Sequence, residues 1–125
     1  MANSDPLPAI VITVLNDSLA RWQEVLLGIE EEGIPFFIRE QPMDGLVQCA
    51  WQAAQFSPLL VGIACDESTL VVHYKNLPVS APLFTLTQNQ SHHAHRHTGN
   101  NAARLVKGLP FRDAHSLSTG ESQYE

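Results

Sequence analysis

Several things are scarce in this sequence, and each scarcity excludes a class of function. No apolar run reaches the roughly 18 residues that a membrane span requires; the longest candidate, Leu59–Ala64, is strand-sized. Only 7 Lys and Arg stand against 13 Asp and Glu, a net charge of −6. The seven cations, Arg21, Arg39, Lys75, Arg96, Arg104, Lys107 and Arg112, are scattered along the chain. A nucleic-acid partner needs a basic patch, so none is expected. Neither a Gly-x-Gly-x-x-Gly nor a Gly-x-x-x-x-Gly-Lys-Ser/Thr motif occurs, so the chain lacks a recognisable nucleotide site of its own. There is no Gly-x-Ser-x-Gly elbow and no Cys with a local His partner, and nothing argues for an enzyme. The start, Met1–Pro6, has neither the basic segment nor the apolar stretch of a signal peptide. Cys49 and Cys65 are the only cysteines, each among apolar residues. They read as two buried, reduced thiols of a cytosolic protein rather than as a disulfide.

What is present specifies one domain. A chain of 125 residues with 44% hydrophobic residues can bury a core without disulfides or a structural metal. Strand and helix signals alternate, which predicts an α/β fold: a single three-layer domain with a largely parallel sheet over residues 8–113. Residues 1–7 and 114–125 are expected to be flexible ends. Ala9–Leu15 is a continuous β-branched apolar run, as for a strand covered on both faces. Asn16-Asp17-Ser18 offers an N-cap to a helix over Ser18–Glu32, which Gly33 and Pro35 end. Ile34–Glu40 reads as a strand, Asp44–Gln55 as a helix, and Leu59–Ala64, Thr69–Tyr74 and Leu83–Thr87 as further strands. Gln88–His97 reads as a polar loop, and Asn100 or Asn101 as the cap of a last helix ending at Lys107, before Gly108 and Pro110.

The first helix carries the most information. At 100° per residue, Leu19, Trp22, Val25, Leu26 and Ile29 gather on a core face. Leu27, Gly28 and Glu31 share the outward half, a combination that suits a partner surface, although a single exposed Leu is ordinary. Glu30-Glu31-Glu32 lies at the helix C-terminus, where the helix dipole disfavours acids by about 0.3–1 kcal/mol each. A metal ion or a basic partner surface would offset this, and an exposed, screened run of charge would cost little without one.

Other clusters have plainer readings. His92, His93, His95 and His97 are close enough in sequence to hold zinc, nickel or copper, but a polar loop that binds metal adventitiously is the simpler account. Asp113-Ala-His115 begins like a cobalamin-ligating Asp-x-His-x-x-Gly motif, but Ser118 replaces its glycine. Thr98-Gly99-Asn100-Asn101 at a helix start could offer N–H groups to an anion, and serves equally as a cap. His73, between Val72 and Tyr74 in a strand, reads as structural.

Longer words carry a resemblance. Trp22–Phe36 (WQEVLLGIEEEGIPF), Ser57–Asp66 (SPLLVGIACD), Val71–Pro78 (VVHYKNLP) and Thr98–Gly108 (TGNNAARLVKG) together resemble the small subunit of diol/glycerol dehydratase-reactivating factors. The likeness runs from about Pro8 to Asp113. It implies a fold similar to the medium (β) subunit of diol dehydratase. It implies a non-catalytic subunit of a chaperone-like factor that releases damaged cobalamin from inactivated adenosylcobalamin-dependent dehydratase by subunit exchange. ATP or ADP would bind only to an actin-like ATPase large subunit, in an assembly of two large and two small subunits. The resemblance also implies that Glu31 completes a Mg²⁺ or Ca²⁺ site on the large subunit, with Leu27 and Gly28 in the same interface. The expected setting is the cytoplasm or a bacterial microcompartment. The competing reading is a small α/β domain that itself binds cobalamin or a nucleotide, which would rest on fold analogy alone.

Overall fold

A computed structural model describes residues 8–15, 18–40 and 45–112 of the chain. The elements run β1 (Ile10–Val14), a short 3₁₀ turn (Leu19–Trp22), α1 (Gln23–Glu31), β2 (Phe36–Glu40), α2 (Leu46–Phe56), β3 (Val61–Cys65), β4 (Thr69–Tyr74), β5 (Phe84–Thr87) and α3 (His92–Lys107). The expected flexible ends, residues 1–7 and 114–125, lie outside the described residues, as do Asn16, Asp17, Asp44 and the Asp113–Ser118 segment.

The five strands form one sheet in the order β2-β1-β3-β4-β5. β1 runs parallel to β2 and β3, while β3–β4 and β4–β5 pair antiparallel. The sheet is therefore mixed, with a parallel half and an antiparallel half, rather than largely parallel. The reason lies in the connection after Cys65. Asp66 Oδ1 accepts from the backbone N–H of Ser68 and Thr69, both at 2.8 Å, and closes a turn far too short for a crossover.

Helices cover both faces, giving the expected three layers. On one face, Ile10, Ile12, Val14, Ile63, Leu70 and Val72 pack with Trp22, Val25 and Ile29 of the first helical segment and with Ala102 and Ala103 of α3. On the other, Ala64 and Val71 pack with Cys49 and Ala50 of α2. β1 has no exposed residue, in keeping with its unbroken apolar run. Cys49 and Cys65 are both buried and free, and they belong to cores on opposite faces of the sheet. Burial pushes the Cys65 thiol up to about 11, away from the reactive thiolate.

Two backbone approaches set the layer spacing. A Cβ placed on Gly62 of β3 would sit 2.1 Å from the Ala54 nitrogen and 2.5 Å from the Ala50 carbonyl oxygen, so α2 lies directly on the strand. A Cβ on Gly28 of α1 would lie 2.2 Å from the Arg96 carbonyl oxygen, and one on Gly99 of α3 would lie 2.0 Å from the Val25 carbonyl oxygen. The two helices thus touch backbone to backbone. Gly28 is consequently buried against α3 and does not belong to an outward face. The single-face wheel fails because α1 has two neighbours, the sheet and α3.

The reach of α3 is the other departure. Ser91 caps it, its Oγ accepting from the Ala94 N–H at 3.1 Å, so the histidine segment is the first two turns of a 16-residue helix and not a loop. Asn100 and Asn101 lie buried in mid-helix and cap nothing at the N-terminus. The anion-binding helix start imagined at Thr98–Asn101 does not exist. Gly108, at φ +72°, ends the helix as expected.

Gly→Ala in a helix interior ordinarily stabilises by about 1 kcal/mol. Here Gly28→Ala and Gly99→Ala are each expected to destabilise by about 1–3 kcal/mol or more, because the obstacle is backbone that cannot move aside. Urea denaturation of the two variants against wild type measures the sign directly.

Candidate functional site

The acidic end of α1 meets a cationic stripe on α3. Arg96, Asn100, Arg104 and Lys107 follow helical spacing along one side of α3, and three of the chain's seven cations therefore converge on Glu24, Glu31 and Glu32. Scattered in the sequence, these cations are clustered in space. They also supply the opposite charge that the α1 C-terminus calls for, within the chain itself.

The three acids of the triplet have different fates. Glu32 is held on both oxygens: Oε2 accepts from Arg104 Nε and Oε1 from Lys107 Nζ, each at 2.9 Å. Its side chain is only 9% exposed. Lys107 Nζ also donates to the Glu32 carbonyl oxygen at 2.8 Å, satisfying an end-of-helix acceptor. The Lys107 hydrogen bond, backed by Arg104 and opposed by burial, holds the Glu32 carboxyl below its ordinary range. Glu30 is exposed.

Glu31 lies between these extremes. Oε2 accepts from Arg96 Nη1 at 2.7 Å and Oε1 from Asn100 Nδ2 at 3.0 Å. Its side chain is 47% exposed. The Asn100 hydrogen bond, with help from Arg96 and against some desolvation, keeps the carboxyl below its usual range. Glu31 therefore presents an ionised oxygen pair at the surface. Leu27, one turn earlier, is 38% exposed, so Leu27 and Glu31 do share an outward strip while Gly28 lies beneath it.

Asn100 is the pivot of this corner. Fully buried, its Nδ2 donates both to Glu31 and to the Gly28 carbonyl at 2.8 Å, and its Oδ1 accepts from Arg112 Nη1 at 3.3 Å. Asn101 ties down the segment that follows: its Nδ2 donates to the Arg112 carbonyl at 2.8 Å and its Oδ1 accepts from the Arg112 N–H at 2.6 Å. Sequence reasoning passed over Arg96, Asn100, Arg112 and Glu24 as site residues. For Arg96 and Asn100 the signal was Ser91 as a cap, which puts residues 96, 100, 104 and 107 on one face of α3; Glu24 and Arg112, outside α3, had no such signal.

The histidines divide. His95 is buried, stacks on Trp22 with ring centroids 5.2 Å apart, and contacts the Thr87 carbonyl through Nε2 at 3.2 Å. His97 is 8% exposed, and its Nδ1 has no partner among the described residues. Burial, Arg112 and His93 push its basicity down. His92 and His93 line an open cleft with Glu24 and Arg96. Among the described residues, no group of three His, Cys, Asp or Glu side chains is placed to hold a metal ion. His73 accepts from the Tyr74 N–H through Nδ1 and pairs with the Val79 carbonyl through Nε2 at 3.0 Å, a structural role.

Comparison with known proteins decides the family. The family described as dehydratase medium subunit matches residues 7–112. The chain belongs to the dehydratase medium subunit family. Within it, the chain is 66% identical over 116 residues to the propanediol dehydratase-reactivating factor small subunit of Salmonella typhimurium, covering 93% of this chain and 100% of that one. It is 62% identical over 125 residues to the diol dehydratase-reactivating factor small subunit of Klebsiella michiganensis, covering all of both. The fold matches a chain of diol dehydratase-reactivating factor complexed with ADP and Mg²⁺, with a TM-score of 0.84, 66% identity and coverage of 86% of this chain and 100% of that one. It also matches glycerol dehydratase reactivase, at a TM-score of 0.80 and 29% identity, over 86% of this chain and 98% of that one. The expected likeness to reactivating-factor small subunits is thereby found. Among the described residues of this family member, no helix is long and apolar enough to cross a membrane.

The acidic corner predicts a two-step acid limb of stability. His97 has a lowered pKa in the fold, so the unfolded chain binds protons first and stability falls as pH drops below about 6.5. Glu32 is also lowered, so its contribution is present above about 4.3 and lost as pH falls through its folded pKa. Urea midpoints between pH 7 and 3 should show His97→Gln flattening the upper step and Glu32→Gln the lower.

Proposed function

We propose that this chain is the small, non-catalytic subunit of a dehydratase-reactivating factor. One observation carries the reading: its relatives at 62–66% identity are reactivating-factor small subunits, while its family is that of the dehydratase medium subunit. A reactivating-factor chain built like a piece of the dehydratase can occupy that piece's place. In this reading, the chain partners a large ATPase subunit, two of each, and exchanges with the medium subunit of inactivated diol or glycerol dehydratase. The enzyme opens and damaged cobalamin leaves. ATP and ADP belong to the large subunit, and the assembly works in the cytoplasm or inside a microcompartment.

Glu31 is the residue assigned to the large-subunit interface, with Leu27 beside it and Gly28 setting the helix that carries them. Its exposed, ionised carboxylate is the ligand type that Mg²⁺ or Ca²⁺ takes, and such an ion needs six or more oxygens. One carboxylate supplies only a fraction of these, so the remaining ligands would come from the partner, its nucleotide and water. The related factor with ADP and Mg²⁺ bound supports this assignment.

The test is reactivation of dehydratase inactivated by cyanocobalamin, with ATP, Mg²⁺, adenosylcobalamin and the large subunit, with and without this chain. Activity is expected to return only when the chain is present; equal recovery without it would discard the reading. Glu31→Gln is expected to weaken Mg²⁺-dependent association with the large subunit by roughly tenfold or more, read by titration at fixed nucleotide.

A further inference from the structure

The two oxygens of Glu31 are held by donors of opposite character. Asn100, on Oε1, is fully buried and fixed through the Gly28 carbonyl and Arg112, so it cannot withdraw without breaking the α1–α3 contact. Arg96, on Oε2, is about one-third exposed and is not committed to Glu31 alone. Its Nε donates to Glu24 Oε1 at 3.0 Å and its Nη2 forms an ion pair with the same oxygen at 2.8 Å, while Nη1 donates to Glu31. The open cleft lined by Glu24, His92, His93 and Arg96 gives the guanidinium room to move.

We propose that Arg96 is an exchangeable counter-ion for Glu31: it occupies Oε2 until a divalent cation held by the partner subunit takes that oxygen, and Glu24 then retains the guanidinium. The proposal rests on the reading of Glu31 as the ligand that completes the partner's cation site. Arg96 and the cation compete, because a metal within bonding distance of Oε2 would repel the guanidinium beside it. The exchange is cheap, since an exposed ion pair is weak and two of the three Arg96 contacts survive. Asn100 meanwhile keeps the carboxylate aimed, so the ion meets a ligand already in place. Glu24 supplies the receiving charge, which makes it a positioning residue through Arg96 and not a ligand.

The test measures association of the full chain with the large subunit, in ADP, as a function of Mg²⁺ concentration. Arg96→Gln removes the competitor and is expected to lower the Mg²⁺ midpoint by about two- to fivefold, the range an exposed charge pair carries. Glu24→Gln removes the receiving charge, leaves Arg96 on Glu31, and is expected to raise the midpoint. Melting temperatures of the isolated variants accompany both. A purely structural role would lower stability and raise the midpoint in both variants, so shifts in the same direction overturn the proposal, as does an unchanged midpoint in Arg96→Gln. Glu31→Gln separates the two levels of the argument. If it abolishes Mg²⁺ dependence while Arg96→Gln moves nothing, the Glu31 reading stands and the exchange falls. If Glu31→Gln keeps full Mg²⁺ dependence, both fall.

Discussion

The contact between α1 and α3 is the constraint on which the rest of this molecule depends. Two glycines, Gly28 and Gly99, let the helices meet backbone to backbone. Only at that separation can the buried Asn100 reach the Gly28 carbonyl and Glu31 together, and Arg104 and Lys107 enclose Glu32. The acidic helix end would be unfavourable alone. Here it becomes the half of an ion-pair network whose other half is the cationic stripe of α3. The network also sorts the three glutamates, burying Glu32 and leaving Glu31 half-exposed and ionised.

The sheet holds this pair of helices in place. β1 and β3 pack apolar side chains against Trp22, Val25 and Ile29 on one face, while on the other α2 lies on Gly62 of β3 through its small alanines at 50, 53 and 54. Trp22 links the layers, its Nε1 donating to the Asp66 carbonyl at 2.8 Å while its ring stacks on His95. The histidine run thus contributes to packing as well as surface.

Much of the fold was legible in the residues. The apolar β-branched runs located β1, β3 and β4, and Gly33 and Gly108 marked where helices stop. Glu31 and Leu27 were legible as outward residues because the core face of α1 was clear. What was hidden follows from one local misreading. A run of histidines masks helical periodicity, because the five polar residues among the six of His92–His97 show no apolar stripe, and Ser91 is the cap that reveals the helix. With α3 begun too late, Gly28 had nothing to pack against, Asn100 looked like a cap, and Arg96 looked isolated. The mixed sheet was hidden for a different reason. Parallel and antiparallel strands buried on both faces have the same apolar pattern, and only the Asp66 turn tells them apart.

The chain separation of the α1–α3 contacts has a consequence in time. The residues that meet across α1 and α3 lie 65 to 75 positions apart, and α3 is the last of the described elements. Closing so long a loop is slow compared with forming the β3–β4 hairpin, whose partners are near neighbours. During synthesis α1 leaves the ribosome without its second neighbour, and Glu31 has neither Asn100 nor Arg96 to hold it until α3 follows. The acidic corner is thus complete only once α3, the last of the described elements, is in place, and a nascent chain lacking α3 cannot form it.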